Sequence, residues 1–190
     1  KDEEEFVSNG YGEKRFDLMY NDFVIIGPSK NKVGISSSDD LKQVLKKIKD
    51  SKVKFVSRGD NSGTHKKEKE LWQQILVEES FFNQKNYIEV GQGMGSTLNI
   101  AIELDGYVLS DRATWINFKN KKNHEIIFED DENLFNQYGI IKISKENCPN
   151  TKNKLASIFL KWIVSKDGQD SIDSFSIENK QLFFANASVN

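Results

Sequence analysis

Between Phe55 and Trp72 the chain reads FVSRGDNSGTHKKEKELW. An apolar run stops at Ser57, and a helix is expected to start near Gly63. Between them stand Arg58, Asp60, glycines, and side chains carrying hydroxyls or amides. The first amides of a helix lack intrahelical partners, and the macrodipole gives that end about half a positive charge. Ser62, Gly63 and Thr64 therefore offer N–H groups, and Ser62 and Thr64 add hydroxyls. Gly63 lets an anion approach the backbone closely. Arg58 supplies a planar, permanent cation suited to a tetrahedral oxyanion. Only Asp60 donates nothing. This composition fits the capture of an oxyanion. A plainer reading has Ser62 and Thr64 capping the helix while Arg58 and Asp60 pair on the surface.

A second donor cluster follows at GQGMGSTL, residues 91–98, again between a strand and a helix start. Gly95, Ser96 and Thr97 offer amides and hydroxyls there. Taken alone it imitates a dinucleotide fingerprint, with Gly91-x-Gly93 after a strand and Asp111 about 20 residues on. The third glycine position is Ser96, however, and the helix is short. Two walls of one anion pocket fit better. A hydrolase triad drawn from Ser62 and His65 lacks the Gly-x-Ser-x-Gly elbow. His65 and His124 share no metal-ligand spacing.

The elements that must place these loops follow from periodicity. FDLMYNDFVIIGP, ended by Gly27-Pro28, suits a strand buried on both faces. SDDLKQVLKKIKD predicts a helix with Leu41, Val44, Leu45 and Ile48 on one face and Ser38 as N-cap. KVKFVS reads as a strand, and GTHKKEKELWQQIL as a helix with Leu71, Trp72, Ile75 and Leu76 inward. NYIEV is a strand, GSTLNIAIEL a short helix and GYVLS a strand, with Ser110 or Asp111 capping a helix through Trp115. HEIIFE and QYGIIKIS are further strands. A helix over 151–165 is expected to bury Leu155, Ile158, Phe159, Trp162 and Ile163. KDEEEFVSNGYG reads as the tail of a helix closed by Gly10. A chain that opens there is expected to continue an earlier segment of the mature protein. Strands alternating with helices through short turns predict an α/β fold with a largely parallel sheet. In such folds, loops at the carboxyl ends of strands bind ligands.

Bulk properties narrow the classes. The 190 residues are 37% hydrophobic with 13 Phe, enough for one large domain or two small lobes. A net charge of −2 argues against gripping nucleic acid through its phosphates. The single cysteine, Cys148, excludes an internal disulfide framework. No stretch of about 18 apolar residues exists to form a membrane-spanning helix. The runs KKEKE and KNKK, interleaved with acids or amides, read as solvated faces.

Four blocks, MYNDFVIIGP, SRGDNSGTHKKEKELW, GMGSTL and GYVLSDRATW, run in order from residue 19 to 115. Together they resemble the extracytoplasmic tungstate-binding proteins of ABC uptake transporters. The Arg-x-Asp-x-Ser-Gly-Thr core is shared with phosphate-binding transport proteins, and the flanking blocks favour tungstate. The resemblance implies an α/β, type II periplasmic-binding-protein fold: two lobes with mainly parallel sheets that close on a dehydrated oxyanion. Lobe 1 would comprise residues 1–26 and 136–190, and lobe 2 residues 27–135. Strands near Asn21–Ile26 and Gln137–Ile143 would cross between them. Carried over to matching positions, Arg58 would be the charged anchor, with Ser57, Ser62, Gly63 and Thr64 on the pocket wall. Gly95, Ser96 and Thr97 would contribute from the second loop.

The family's Thr-Thr-Thr-Ser-type loop has no match in this sequence, so the N-terminal part of lobe 1 is expected to be missing and the pocket half built. The resemblance implies a binding protein without catalytic residues, metal ligands or cofactor. Its ligand would be tungstate or molybdate and its partner a membrane permease, not nucleic acid. Its place would be periplasmic, or extracellular as a membrane-anchored lipoprotein. A phosphate-binding transport protein and the ligand-sensing domain of a LysR-type regulator share the fold and are the alternatives. Asp60 separates the anions: hydrogenphosphate carries a proton for a carboxylate to accept, whereas tungstate carries none. For tungstate, Asp60 is expected to turn away and orient Arg58.

Overall fold

A short helix α1 (Asp2–Ser8) leads into β1, a strand of 17 residues, Gly12–Pro28, that serves both halves of the molecule. The computed structural model describes residues 2–188. Two compact units emerge, one of residues 1–21 with 136–190 and the other of residues 22–135. The outgoing crossing lies between Asn21 and Asp22, five residues before the expected Gly27. The reason is the ladder: Phe23–Ile26 already pair with the sheet of the second unit.

That second unit carries α2 (Leu41–Asp50), β2 (Phe55–Ser57), α3 (Gly63–Gln73), β3 (Tyr87–Glu89), α4 (Met94–Glu103), β4 (Val108–Asp111), α5 (Arg112–Asn117) and β5 (His124–Phe128). Alternation with a period of two sorts the strand residues onto opposite faces. Phe23, Ile25 and Phe55 join Leu41, Val44, Leu45, Ile48, Leu71 and Trp72 on the side of α2 and α3. Val24, Ile26 and Val56 join Met94, Leu98, Ile102 and Trp115 on the side of α4 and α5. Burial of this segment of β1 on both faces therefore matches the continuous apolar run.

The pairing differs from the expected mainly parallel sheet. β1 pairs antiparallel with β4 and with β5, its register shifting between Ile25 and Ile26. Parallel pairing joins β2 to β3, and Phe55 bridges in parallel to Tyr107. A strand that enters from one unit and runs against its neighbours imposes the antiparallel ladders.

Three local expectations are also corrected. Asp40, not Ser38, caps α2, in a capping box with Gln43. α3 closes at Gln73, and three short-range turns carry Leu76 to a φ of 52°, leaving it 88% exposed instead of inward. The third concerns the first unit, described next.

In that unit, α1 ends where the Tyr11 amide reaches the Phe6 carbonyl at 3.2 Å and the Gly10 amide reaches Val7 at 2.9 Å. Gly10 holds φ +77°, a conformation that favours glycine. Beyond come β6 (Phe135–Ile143), α6 (Asn153–Ile163), α7 (Lys166–Asp173), the hairpin β7 (Ser176–Ile177) and β8 (Lys180–Gln181), and β9 (Phe184–Ala185). β6 and β9 both pair with β1. On α6 only Ile163 is buried; Leu155, Ile158, Phe159 and Trp162 are 61, 57, 53 and 46% exposed. The apolar stripe is present as expected, but among the described residues no element covers it.

Candidate oxyanion site

The loop between β2 and α3 is shaped by two left-handed residues, Gly59 at φ +60° and Asn61 at φ 57°. A Cβ on Gly59 would lie 2.7 Å from the Glu89 Cβ, so close strand packing adds to the demand for glycine. The turn brings Asp60 back toward Arg58. Oδ2 of Asp60 accepts from Arg58 Nε at 3.1 Å and Nη2 at 2.5 Å. Oδ1 accepts the Ser62 amide at 3.1 Å. Burial alone would raise the Asp60 carboxyl, but bonds from the Ser62 hydroxyl and amide and from the Arg58 guanidinium hold it at about 2. It is an ionised orienting group. Nη1 of Arg58 has no partner among the described residues.

α3 begins immediately after. The Ser62 hydroxyl accepts the His65 amide at 3.3 Å, and the Ser62 carbonyl accepts Lys66 at 2.9 Å. Among the described residues this leaves the amides of Gly63 and Thr64, and the Thr64 hydroxyl, as donors without acceptors. Gly63 is exposed and Thr64 half-buried.

The second loop is held against the first by backbone bonds. β2 and β3 pair in parallel, Ser57 opposite Glu89. The ladder continues beyond the strands: Val90 donates to the Ser57 carbonyl at 3.1 Å and Gln92 to the Arg58 carbonyl at 3.3 Å. α4 then starts at an N-cap glycine, Gly93, which supplies no side-chain cap. The first helical bond runs from the Thr97 amide to the Gly93 carbonyl at 3.1 Å. The amides of Met94, Gly95 and Ser96 therefore have no acceptor among the described residues, and Gly95 and Ser96 are exposed. Two helix starts with free amides, one guanidinium and two hydroxyls share this edge of the unit.

The expected site residues fall into two groups. Arg58, Ser62, Gly63, Thr64, Gly95 and Ser96 lie at the surface of these adjoining loops. Ser57 and Thr97 lie beneath it, each at 0% exposure. Ser57 Oγ accepts the Gly59 amide at 3.3 Å, and Thr97 Oγ1 donates to the carbonyls of Gly93 at 3.1 Å and Gln92 at 3.3 Å. Both hydroxyls brace the loops from behind. Gly63 and Gly95 adopt no positive φ, and a Cβ on either would meet nothing within 4 Å. Neither conformation nor internal packing requires glycine at these two positions, and both face open space.

Sequence reasoning missed three participants. His65 is buried, its Nδ1 accepting the Asn61 amide at 3.1 Å and so fixing the loop's second left-handed residue. Glu68 is buried one turn further, where Tyr87 donates to it at 2.7 Å. Their spacing with Trp72, i, i+3 and i+7, was the available signal. Arg112 grips Asp22 through Nε at 2.8 and 3.0 Å, and Glu129 through Nη1, fixing the start of this unit. Among the described residues no cluster of three or more His, Cys, Asp or Glu side chains is arranged to hold a metal ion.

Adjoining helix starts with free amides beside one guanidinium have the donor chemistry that a small anion requires. Comparison with known proteins gives the family. Residues 1–167 match the PBP superfamily domain. The tungstate-binding protein TupA of Peptoclostridium acidaminophilum is 40% identical over 97% of this chain, and that of Campylobacter jejuni subsp. jejuni serotype O:2 is 40% identical over 98%. The chain spans 65% and 70% of the lengths of these two relatives. The solved structure of TupA from Desulfovibrio alaskensis G20 superposes with a TM-score of 0.84 at 41% identity, covering 98% of this chain and 76% of that one. The chain belongs to the PBP superfamily and, within it, to the tungstate-binding protein family.

Proposed function

We propose that this chain is the ligand-binding part of the substrate-binding component of an ABC uptake transporter, and that its ligand is a tetrahedral oxyanion, tungstate or molybdate. The observation that carries this reading is the seam from Ser57–Val90 to Arg58–Gln92, which sets two free helix starts beside one oriented guanidinium. Arg58 is the charged anchor. Gly63, Thr64, Gly95 and Ser96 supply amides, with hydroxyls from Thr64 and Ser96. Ser62, Ser57 and Thr97 hold the loops in shape. The protein captures its ligand without changing it, works outside the cytoplasm, free or lipid-anchored, and delivers to a membrane permease.

The energetics are adequate. Nanomolar affinity requires about −12 kcal/mol net. Roughly six to eight charge-assisted hydrogen bonds, at about 1.5–3 kcal/mol each, reach that range after the costs of ordering and desolvation. The modest net charge of −2 is no obstacle, because donors in direct contact dominate over distant charges.

Asp60 supports a fully ionised anion over hydrogenphosphate. Its oxygens are taken by Arg58 and Ser62, and it is held ionised, so it serves as an orienting group and not as an acceptor for a ligand proton. The test is a thermal-shift screen with tungstate, molybdate, phosphate and sulfate. Tungstate and molybdate should raise the unfolding temperature most. A shift from phosphate with none from tungstate would transfer the assignment to phosphate transport.

A further inference from the structure

Behind the donor loops lies a carboxyl that does not face the ligand. Glu68 sits on α3, five residues after Gly63, and is 3% exposed. It is surrounded from three elements. From β3 the Tyr87 hydroxyl donates to its Oε1 at 2.7 Å. The Ser57 hydroxyl on β2 and the Trp72 indole N–H on its own helix also favour its ionised form, though the indole itself makes no hydrogen bond among the described residues. Ser57 also accepts the Gly59 amide, so the same hydroxyl that favours an ionised Glu68 braces the Arg58–Asp60 turn.

The charged neighbours give Glu68 no counter-ion. Glu89 on β3 adds a second negative field, and its own contacts go to His65 Nε2 at 3.3 Å and Lys69 Nζ at 3.8 Å. Among the described residues no cation is recorded within ion-pair distance of Glu68. An enclosed carboxyl without a cation favours its neutral form. Burial first, then Glu89, pushes Glu68 up to about 7 despite the Tyr87 bond and the weaker pull of the Ser57 and Trp72 donors in the other direction.

A helix rises about 1.5 Å per residue, so Glu68 lies only about 8 Å along α3 from the helix start where an anion would sit. A dianion arriving there repels an ionised Glu68 through protein and not through bulk water. We propose that anion capture is coupled to proton uptake by Glu68: the buried carboxyl becomes neutral as the oxyanion docks on the starts of α3 and α4. This rests on the oxyanion reading above. The sign follows from linkage. Where Glu68 is already neutral in the free protein, affinity is independent of pH. Above that range the free protein is ionised and must take up a proton to bind, so affinity falls as pH rises, by up to about tenfold per unit.

Tungstate is the clean probe, since it stays a dianion where phosphate titrates. Calorimetric titration of tungstate at about pH 8, in two buffers of different ionisation heat, should show uptake approaching one proton. Glu68→Gln should bind tungstate without proton uptake and with a flat pH profile. Tyr87→Phe, which removes a bond favouring the ionised form, should move the fall in affinity to higher pH. Thermal unfolding monitors the integrity of each variant. Tungstate binding with no proton uptake in the unmodified protein overturns the coupling and leaves the oxyanion site standing. Uptake kept in Glu68→Gln but lost in His65→Gln also overturns it, assigning the proton to the histidine. Failure of tungstate and molybdate to bind at any pH overturns the proposed function together with the coupling.

Discussion

The Gln92 amide donates to the Arg58 carbonyl at 3.3 Å, and this bond carries the β2–β3 ladder past the ends of both strands into the loops. Its consequence is positional. Two helices whose starts are 31 residues apart, Gly63 and Met94, open side by side because the strands before them pair in parallel. Each alone offers about half a positive charge at its start. Side by side, with Arg58 on the turn that leads into the first of them, they offer more donors than either loop does separately.

Arg58→Ala should weaken tungstate binding by at least about tenfold, the loss of one charge-assisted contact. Stability should change little, because the Arg58–Asp60 pair is a local, partly exposed contact and Asp60 keeps its bond from the Ser62 amide. Arg58→Lys should fall between, keeping the charge but not the planar fork. Titration calorimetry with parallel thermal melts checks all three, and unchanged affinity in Arg58→Ala would remove the anchor assignment.

Gly63→Ala and Gly95→Ala should move stability and affinity in opposite directions. Both positions are helical with open space around a Cβ, so alanine should stabilise by about 0.5–1 kcal/mol. The added methyl would stand where the anion approaches, and tungstate affinity should drop. Variants that are more stable and bind as well as the original would place the ligand elsewhere.

How much of this was legible in the letters depends on range. The donor loops were readable because capping residues, glycines and the strand–loop–helix order are local signals, and Ser62 does cap α3. Their adjacency was not, since β2 and β3 are separated by α3 and pair through backbone groups that no side chain encodes. Glu68 was hidden inside a lysine-rich run read as solvated, although its spacing from His65 and Trp72 puts it on the buried face. On α6, periodicity disclosed an apolar stripe but not what covers it. The mainly parallel sheet was inferred from alternation, which cannot show that β1 enters from another unit and runs against its neighbours.

Asp60→Asn separates two roles for the carboxylate. Asp60 titrates near about 2 in the folded protein, below its usual range. A depressed carboxylate stabilises above its unfolded value, about 3.9, and that contribution is lost as pH falls through about 2. The variant should therefore lack this part of the acid limb in a stability profile. Tungstate affinity at neutral pH should fall, because Arg58 loses its orienting partner. A rise in affinity would mean that Asp60 faces and repels the anion.

Asp40→Ala should cost about 1 kcal/mol of stability through loss of the capping box on α2. Tungstate affinity, normalised for the folded fraction, should be unchanged, since α2 supplies no donor to the site. Denaturant unfolding and calorimetry together check the pair of outcomes.

The most direct test of the donor surface is anomalous diffraction at a tungsten absorption edge from crystals grown with tungstate. The tungsten peak should lie where its oxygens accept hydrogen bonds from Arg58 and from the amides of Thr64 and Ser96. A fully occupied peak with none of these three groups in reach would contradict the central claim.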